Sequence, residues 1–303
     1  MESAISDKIR SLSEAVKLIP DGAQVALGGW VLTRCPMGFD HEMIRQKKRN
    51  LIISASMGGM DTDLLVGAGC VNKLIYPGGS IEPSFGFLSR INDAIVNGEI
   101  ETEEYSGTSI CFKYLAGALG LPYMPIKSLL GSDILATLKS KSADVKEVKC
   151  PFTGEKLVLL RALNPDYGVI HVQRVDTEGN AWIYGPLWDT KEMAMASKKI
   201  IITAEEIVNS SLTRMDPTRT IIPGHRVDVI VHMPYGAHPT SVYKYYDYDA
   251  EHIALYAKAA RQKETFEKYL EEYVLNVGSH EQYLQKIGIE KLGKLRADPI
   301  LGY

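Results

Sequence analysis

Cysteine is scarce and badly placed for metal or disulfide chemistry. Cys35, Cys70, Cys111 and Cys150 lie far apart and form no C-x-x-C pair, so neither a zinc site nor a disulfide framework has support. No apolar run approaches the roughly eighteen residues that a membrane-spanning helix needs. The opening segment MESAISDKIRSLSEAVKLI spreads charge through an amphipathic pattern and lacks the uninterrupted apolar core of a signal peptide. An excess of one charge is also missing: 34 Lys and Arg stand against 37 Asp and Glu, a net charge of −3. No face can then be overwhelmingly basic, and nucleic acid is not an expected partner. The one basic run, RQKKRN (Arg45 to Asn50), reads as a solvated helix end favoured by the helix dipole. The seven histidines make no H-x-x-x-H pair on an expected helix, so no metal is expected, and the G-x-S-x-G elbow of one large hydrolase class is absent. Together these absences predict a reduced, soluble, cytoplasmic chain that neither enters a membrane nor carries a bound cofactor.

What remains is ample material for a core, with 45% hydrophobic and 23% charged residues over 303 positions. The first sixty residues alternate helical and strand patterns. A helix over Ile9 to Ile19 leads into the strand QVALGGW, a helix spans about Gly38 to Gln46, and the strand NLIISAS follows. Such alternation implies a parallel sheet with helices on its faces. Further on, KLIY (Lys73 to Tyr76) reads as a short buried strand. Phe85 to Asn97 reads as a helix stopped at Gly98, and a helix capped within Ser106 to Thr108 runs to about Leu119. KLVLLRAL and DYGVIHVQRV are strands, the second turning at DTEGN into AWIYG as a hairpin, so an antiparallel element is expected beside the main sheet. A helix over Thr190 to Ser197, the strands KKIIITAE and RVDVIVHM, a long helix from about His252 to Tyr273 and a short one over His280 to Ile287 complete the chain. With no Ser/Gly-rich linker and no internal repeat, residues 1–303 read as one continuous α/β domain.

In an open parallel sheet, ligands bind beyond the carboxyl ends of the strands. That rule selects several loops. GGWVLTRCP offers Gly28 and Gly29 for close backbone approach and Arg34 for a carboxylate or phosphate; the alternative is tight-turn glycines beside a surface arginine. The loop lacks the third glycine of a dinucleotide fingerprint and the lysine of a phosphate loop. SMGGMD (Ser56 to Asp61) is a second glycine loop. YPGGSIEP places Ser80 and Glu82 at a strand end, with Glu82 either touching a ligand or serving as a first-turn helix carboxylate. In ETEEYSGTS the crowded Glu101, Glu103 and Glu104 read as solvated, unless one turns inward, where Glu104 would be the candidate general base. LPYMPIKSLLGSD stiffens the approach to Lys127 and to the Gly131–Ser132 turn; Lys127 either holds an acyl or pantetheine-linked group or snorkels at the surface.

Several stretches together resemble the A-type subunit of the family I CoA-transferases, the glutaconate CoA-transferase group in particular. They are ALGGW with Arg34 and Pro36, LLVGAGCVNKLIY, IETEEYSGTS, LAGALGLPYMPIKSLLGSD, DTEGNAWIYG, ITAEEIV and PYGAHPTSVYKYYDYD, in order from about Ser11 to the closing ADPILGY. The resemblance implies a Rossmann-like open sheet and transfer of coenzyme A between carboxylic acids, with a CoA thioester as substrate. It also implies a B-subunit partner, which supplies the attacking glutamate from a Ser-Glu-Asn-like segment that has no counterpart here. Two departures bear on specificity and reaction. Glu82, with Ser80 before it, stands where the A-type chain of the glutaconate enzyme has a small hydroxyl residue, and an anionic side chain there would repel a second substrate carboxylate. Glu104 stands where related ring-cleaving hydrolases of CoA thioesters carry a working glutamate, so hydrolysis or decarboxylation is the alternative, and a non-enzymatic binding protein a third. The tyrosine-rich stretch YGAHPTSVYKYYDYDAEH (Tyr235 to His252) then reads as scaffold or subunit interface. His238, ahead of Pro239, is expected to be structural and hydrogen-bonded within its own turn, with the tyrosine hydroxyls wet.

Overall fold

A computed structural model describes residues 7–302 except Pro83 and Pro299. The chain begins with α1 (Leu12–Lys17), β1 (Gln24–Leu27), α2 (Met37–Arg45), β2 (Leu51–Ser54), α3 (Met60–Gly67), β3 (Val71–Tyr76), α4 (Ser89–Val96) and β4 (Glu101–Glu104). It continues with α5 (Gly107–Ala118), β5 (Tyr123–Ile126), α6 (Asp133–Lys141), β6 (Val145–Lys149), β7 (Lys156–Arg161), β8 (Tyr167–Asp176), β9 (Ala181–Trp182) and α7 (Thr190–Ala196). The last part contains β10 (Lys199–Val208), α8 (Ser210–Met215), β11 (Thr220–Ile222), β12 (Val229–His232), α9 (Ala250–Ala259), α10 (Lys263–Leu270), α11 (His280–Ile287) and α12 (Ile289–Lys294).

β1 pairs in parallel with β2 on one side and β8 on the other. From that centre the chain winds outward twice, through β2, β3 and β4 in one direction and through β8, β10 and β12 in the other. The expected mostly parallel α/β sheet is therefore present, and its order reverses between β1 and β8, which opens a crevice at the carboxyl ends of those two strands. Alternation along the strands feeds both faces. Val25 and Leu27 of β1 join a core with α1 to α4, α9 and α10, while Ala26 joins a second core with α5, α6 and α7. Ile200, Ile202 and Ala204 of β10 build a third core with Ile170 and Val172, while Ile201 faces the first.

The hairpin forms as the DTEGN turn predicts: Asp176 accepts the backbone N–H groups of Glu178 at 2.9 Å and Asn180 at 2.8 Å, and Gly179 takes φ +100. β9 stays in the main sheet, paired with β8 and β11. A separate antiparallel sheet, ordered β5-β7-β6, accounts for KLVLLRAL. Pro125 sits in β5 because that strand is an edge, where a missing N–H breaks no ladder.

Four expectations are corrected. The acidic run Glu101–Glu104 is an edge strand, not a loop, and its inward carboxylate is Glu103, held by Lys73 at 2.5 Å and by the Tyr105 hydroxyl at 2.9 Å; Glu104 is exposed. Successive strand residues point to opposite faces, so Glu103 and Glu104 cannot both turn inward. The long C-terminal helix is broken between Ala259 and Lys263, where Arg90 takes the Ala260 carbonyl at 2.6 Å and the Thr265 hydroxyl takes that of Ala259 at 2.6 Å. The His238 backbone N–H bonds within its turn, to the Tyr235 carbonyl at 3.0 Å, but its ring finds partners outside it, at Tyr283 Oη (2.7 Å) and Asp249 (3.2 Å), and the Tyr246 hydroxyl is buried on Glu205 at 2.6 Å rather than wet.

Candidate functional site

The loops beyond β1, β2 and β3 lie side by side, joined backbone to backbone. Gly58 N donates to the Gly78 carbonyl at 3.0 Å, and Ser80 N donates to the Gly58 carbonyl at 3.2 Å. A β-carbon on Gly79 would stand 2.1 Å from the Gly58 oxygen, and one on Gly59 would stand 3.2 Å from the Val31 oxygen. Gly28 likewise meets Val169 and Ile170 of β8, and Gly29, at φ +94, folds over the Arg34 carbonyl. Absence of side chains at these glycines thus serves contact between loops.

Arg34 is not a surface residue. It is 1% exposed, and its Nη2 donates to the Pro186 carbonyl at 2.5 Å, while Nε and Nη1 have no partner among the described residues. Burial pulls its pKa down to about 10. This bond ties the loop after β1 to the segment before α7. The same two segments are stacked through Trp30 and Trp188, with ring centroids 5.3 Å apart and planes 7° from parallel. Behind the loops, burial raises the carboxyls of Asp40 and Asp61, each in the other's vicinity, and pushes the Cys35 thiol up as well.

Between α5, the start of α7 and Met57 of the loop after β2 lies a cavity of about 580 Å³. Its wall includes Met57, Gly107, Thr108, Cys111, Leu115 and Trp188, with Asp189 and Glu192 as its acids. Asp189 occupies the cap position of α7 but caps nothing. Its carboxylate instead accepts the Ser56 hydroxyl at 2.5 Å and the Cys111 thiol. Burial raises the Asp189 pKa, and burial with the adjoining Asp189 pushes the Cys111 thiol up to about 12. At neutral pH the thiol therefore stays protonated and is a poor nucleophile. Ser56 gives its hydroxyl to that buried carboxylate, and no histidine or lysine is bonded to it among the described residues.

None of the site residues singled out by sequence lines this cavity. Gly28, Gly29 and Arg34 build the loop behind Trp30. Ser80 accepts the Glu82 N–H at 3.2 Å, and Glu82, half-buried at φ +73, follows β3 on the same carboxyl edge. Glu104 ends β4, three residues before Gly107, and pairs there with Tyr76 of β3, while its side chain forms no hydrogen bond or ion pair among the described residues. Lys127 is exposed and paired with Glu155 at 2.9 Å on the small sheet. Gly131 takes φ +76 in the turn ahead of α6, and Ser132 caps that helix by accepting the Leu135 N–H. Next to Lys127, Ser128 meets Ser109 in the first turn of α5 at 3.3 Å. Sequence reading passes over Asp189 and Trp188, since an aspartate directly before TKEMAMA signals a helix cap and nothing more.

An open parallel sheet that reverses at its centre, with its cleft at the carboxyl ends, defines a doubly wound α/β ligand-binding protein. More narrowly, the chain belongs to the coenzyme A transferase family, whose profile matches residues 9–233. It is 34% identical over 284 residues to the A subunit of 3-oxoadipate CoA-transferase from Pseudomonas knackmussii, covering 92% of this chain and 98% of the relative. The A subunit of glutaconate CoA-transferase from Acidaminococcus fermentans is 33% identical over 309 residues, covering 98% of this chain and 97% of the relative. A crystal structure of the glutaconate enzyme matches with a TM-score of 0.93 and 32% identity over 98% of both chains. An uncharacterized protein of Archaeoglobus fulgidus is 36% identical over 302 residues, of which this chain spans only 65% of the length. The family and fold expected from the sequence motifs both hold. Among the described residues no helix is long and apolar enough to cross a membrane.

Proposed function

We propose that this chain is the A-type half of a two-subunit enzyme that moves coenzyme A from an acyl-CoA to a carboxylic acid, with the attacking glutamate supplied by a B subunit. The observation that carries this reading is a cavity at the carboxyl edge whose own polar groups are quiet. Asp189 is tied to Ser56 and Cys111, and the thiol is protonated at neutral pH. Such a wall binds and orients, which is the share of catalysis left to one subunit when the nucleophile comes from another.

In the reaction, the partner's carboxylate attacks the thioester carbonyl and expels the CoA thiolate, leaving a mixed anhydride. The thiolate attacks the glutamyl carbonyl, releases the first acid and forms a glutamyl-CoA thioester. The acceptor carboxylate then reverses both steps, so CoA leaves on the new acid and the glutamate is regenerated. Gly28, Gly29 and Arg34 hold the wall in place, Ser80 and Glu82 flank it, and the Lys127 to Ser132 segment borders the first turn of α5. A reducing cytoplasmic setting belongs to this reading and agrees with four free cysteines.

The test is trapping. The two chains are co-expressed, incubated with acyl-CoA and treated with borohydride, which reduces an enzyme–CoA thioester. Inactivation located on the B subunit is the expected result, and turnover with no trapped thioester would sink it. One observation keeps a second reading, hydrolysis or decarboxylation of a CoA thioester with Glu104 as base: Glu104 is exposed three residues ahead of α5, its carboxylate without a bonded partner among the described residues. Turnover abolished by Glu104→Gln, with nothing trapped on the partner, would select that reading.

A further inference from the structure

The cavity wall carries charge of one sign. Gly107, Thr108, Cys111 and Leu115 recur at helical spacing, so the cavity follows one face of α5 for about 12 Å at 1.5 Å per residue. Where it begins, the amino end of α5 offers backbone N–H groups to a single carboxyl or thioester oxygen. One turn further on, Asp189 reaches Cys111, and Glu192 stands a turn of α7 beyond Asp189. Among the described residues no lysine, arginine or histidine lines the cavity. The remaining wall is apolar, from Met57, Phe112, Leu115 and Trp188.

Two relatives are named for glutaconate and 3-oxoadipate, acids with two carboxyl groups. An acyl chain running from the amino end of α5 toward Leu115 would bring a second carboxylate against Asp189 and Glu192. No cation lines that space to offset the repulsion. We propose that the cavity along α5 takes the acyl chain of a CoA thioester bearing no second negative charge, an aliphatic or aromatic monoacyl group, and rejects dicarboxylic acyl groups. The proposal rests on the coenzyme A reading of the same site but narrows its substrate class away from those relatives' named acids.

The experiment uses the chain assembled with its B subunit, with acetyl-CoA, hexanoyl-CoA and glutaryl-CoA as donors. Hexanoyl-CoA is expected to exceed glutaryl-CoA in kcat/KM by about tenfold or more, because like charges facing each other across a binding site are penalised. Leu115→Trp, which fills the far end, should lower the hexanoyl-to-acetyl ratio by about tenfold, the range that apolar pockets command. Glu192→Gln should narrow the gap between hexanoyl-CoA and glutaryl-CoA by roughly threefold or more. A preference for glutaryl-CoA overturns the proposal, as does a folded, assembled Leu115→Trp pair with an unchanged ratio. Loss of partner assembly in Leu115→Trp, with the free chain melting normally, marks the cavity as partner surface and also overturns it. If no donor supports transfer, the coenzyme A reading fails on its own. Titrating the pair's tryptophan fluorescence with hexanoate and glutarate then decides the pocket: tighter hexanoate sustains the proposal, and equal or weaker binding defeats it.

Discussion

Ser56 donates its hydroxyl to Asp189 at 2.5 Å, joining two residues 133 positions apart across the cleft. Both are buried, at 2% and 6% exposure. Ser56→Ala strips one donor from a buried carboxylate and should destabilise the chain by about 1–3 kcal/mol. Urea unfolding measures this. A loss below the error of that measurement would mean that the Cys111 thiol and the Asp189 backbone N–H satisfy the carboxylate without Ser56.

Adjacent glycines of the loop after β3 separate space from backbone strain. Gly79→Ala would press a β-carbon against the Gly58 oxygen, 2.1 Å away, and should cost about 2–3 kcal/mol as the two loops part. Gly78, at φ +99, has nothing within 4 Å of the same position, so Gly78→Ala incurs only the left-handed backbone cost of about 1–2 kcal/mol. Thermal melts of the two variants should therefore fall in that order.

Asp63 gives one sign of pH dependence. Burial raises its pKa from 3.8 to about 6, while Ile91 N–H and the Tyr256 hydroxyl hold its oxygens at 2.9 and 2.7 Å. The native state then binds the proton more tightly than the unfolded chain, and stability falls as pH rises from 3.8 to about 6. Asp63→Asn removes that slope. The variant should gain about 3 kcal/mol on the wild type across the window, at 1.36 kcal/mol per unit. Denaturant unfolding at pH 4 and pH 7 checks it, and parallel curves would exclude Asp63 as the source.

His252 gives the opposite sign. Burial, then the nearby His238, lowers its pKa from 6.5 to about 3, with its ring on the Tyr269 hydroxyl at 2.9 Å. The unfolded chain now binds the proton more tightly, so stability is full above 6.5 and drains as pH falls toward about 3. Between pH 7 and pH 5 the wild type should lose about 2 kcal/mol more than His252→Gln, from about 1.5 units of titration. Equal losses in the two proteins would assign acid sensitivity to other groups.

Local patterning announced most of the main sheet. Apolar runs with turn residues between them marked β1, β2, β8, β10 and β12, and DTEGN marked the hairpin, because side-chain spacing and turn chemistry act over a few residues. Less legible were segments whose state is set by distant partners. Glu101–Glu104 reads as a solvated run because its charges are local, whereas Lys73 and Tyr105 make one of them an inward strand residue. The helix from His252 breaks without glycine or proline, since Arg90 and Thr265 take the carbonyls at the break.

The candidate site divides along the same line. Composition, strand alternation and ordered motifs determined an α/β sheet, a family of coenzyme A transferases and the edge of the sheet where chemistry belongs. Which side chains face the cleft was decided only by the tertiary structure. Asp189 carries the local signature of a helix cap, yet its carboxylate turns away to Ser56 and Cys111; Arg34 carries that of a surface cation, yet it is enclosed against Pro186. Periodicity encodes which face of an element is apolar, but the meeting of residues more than a hundred positions apart depends on how the packed elements are brought together.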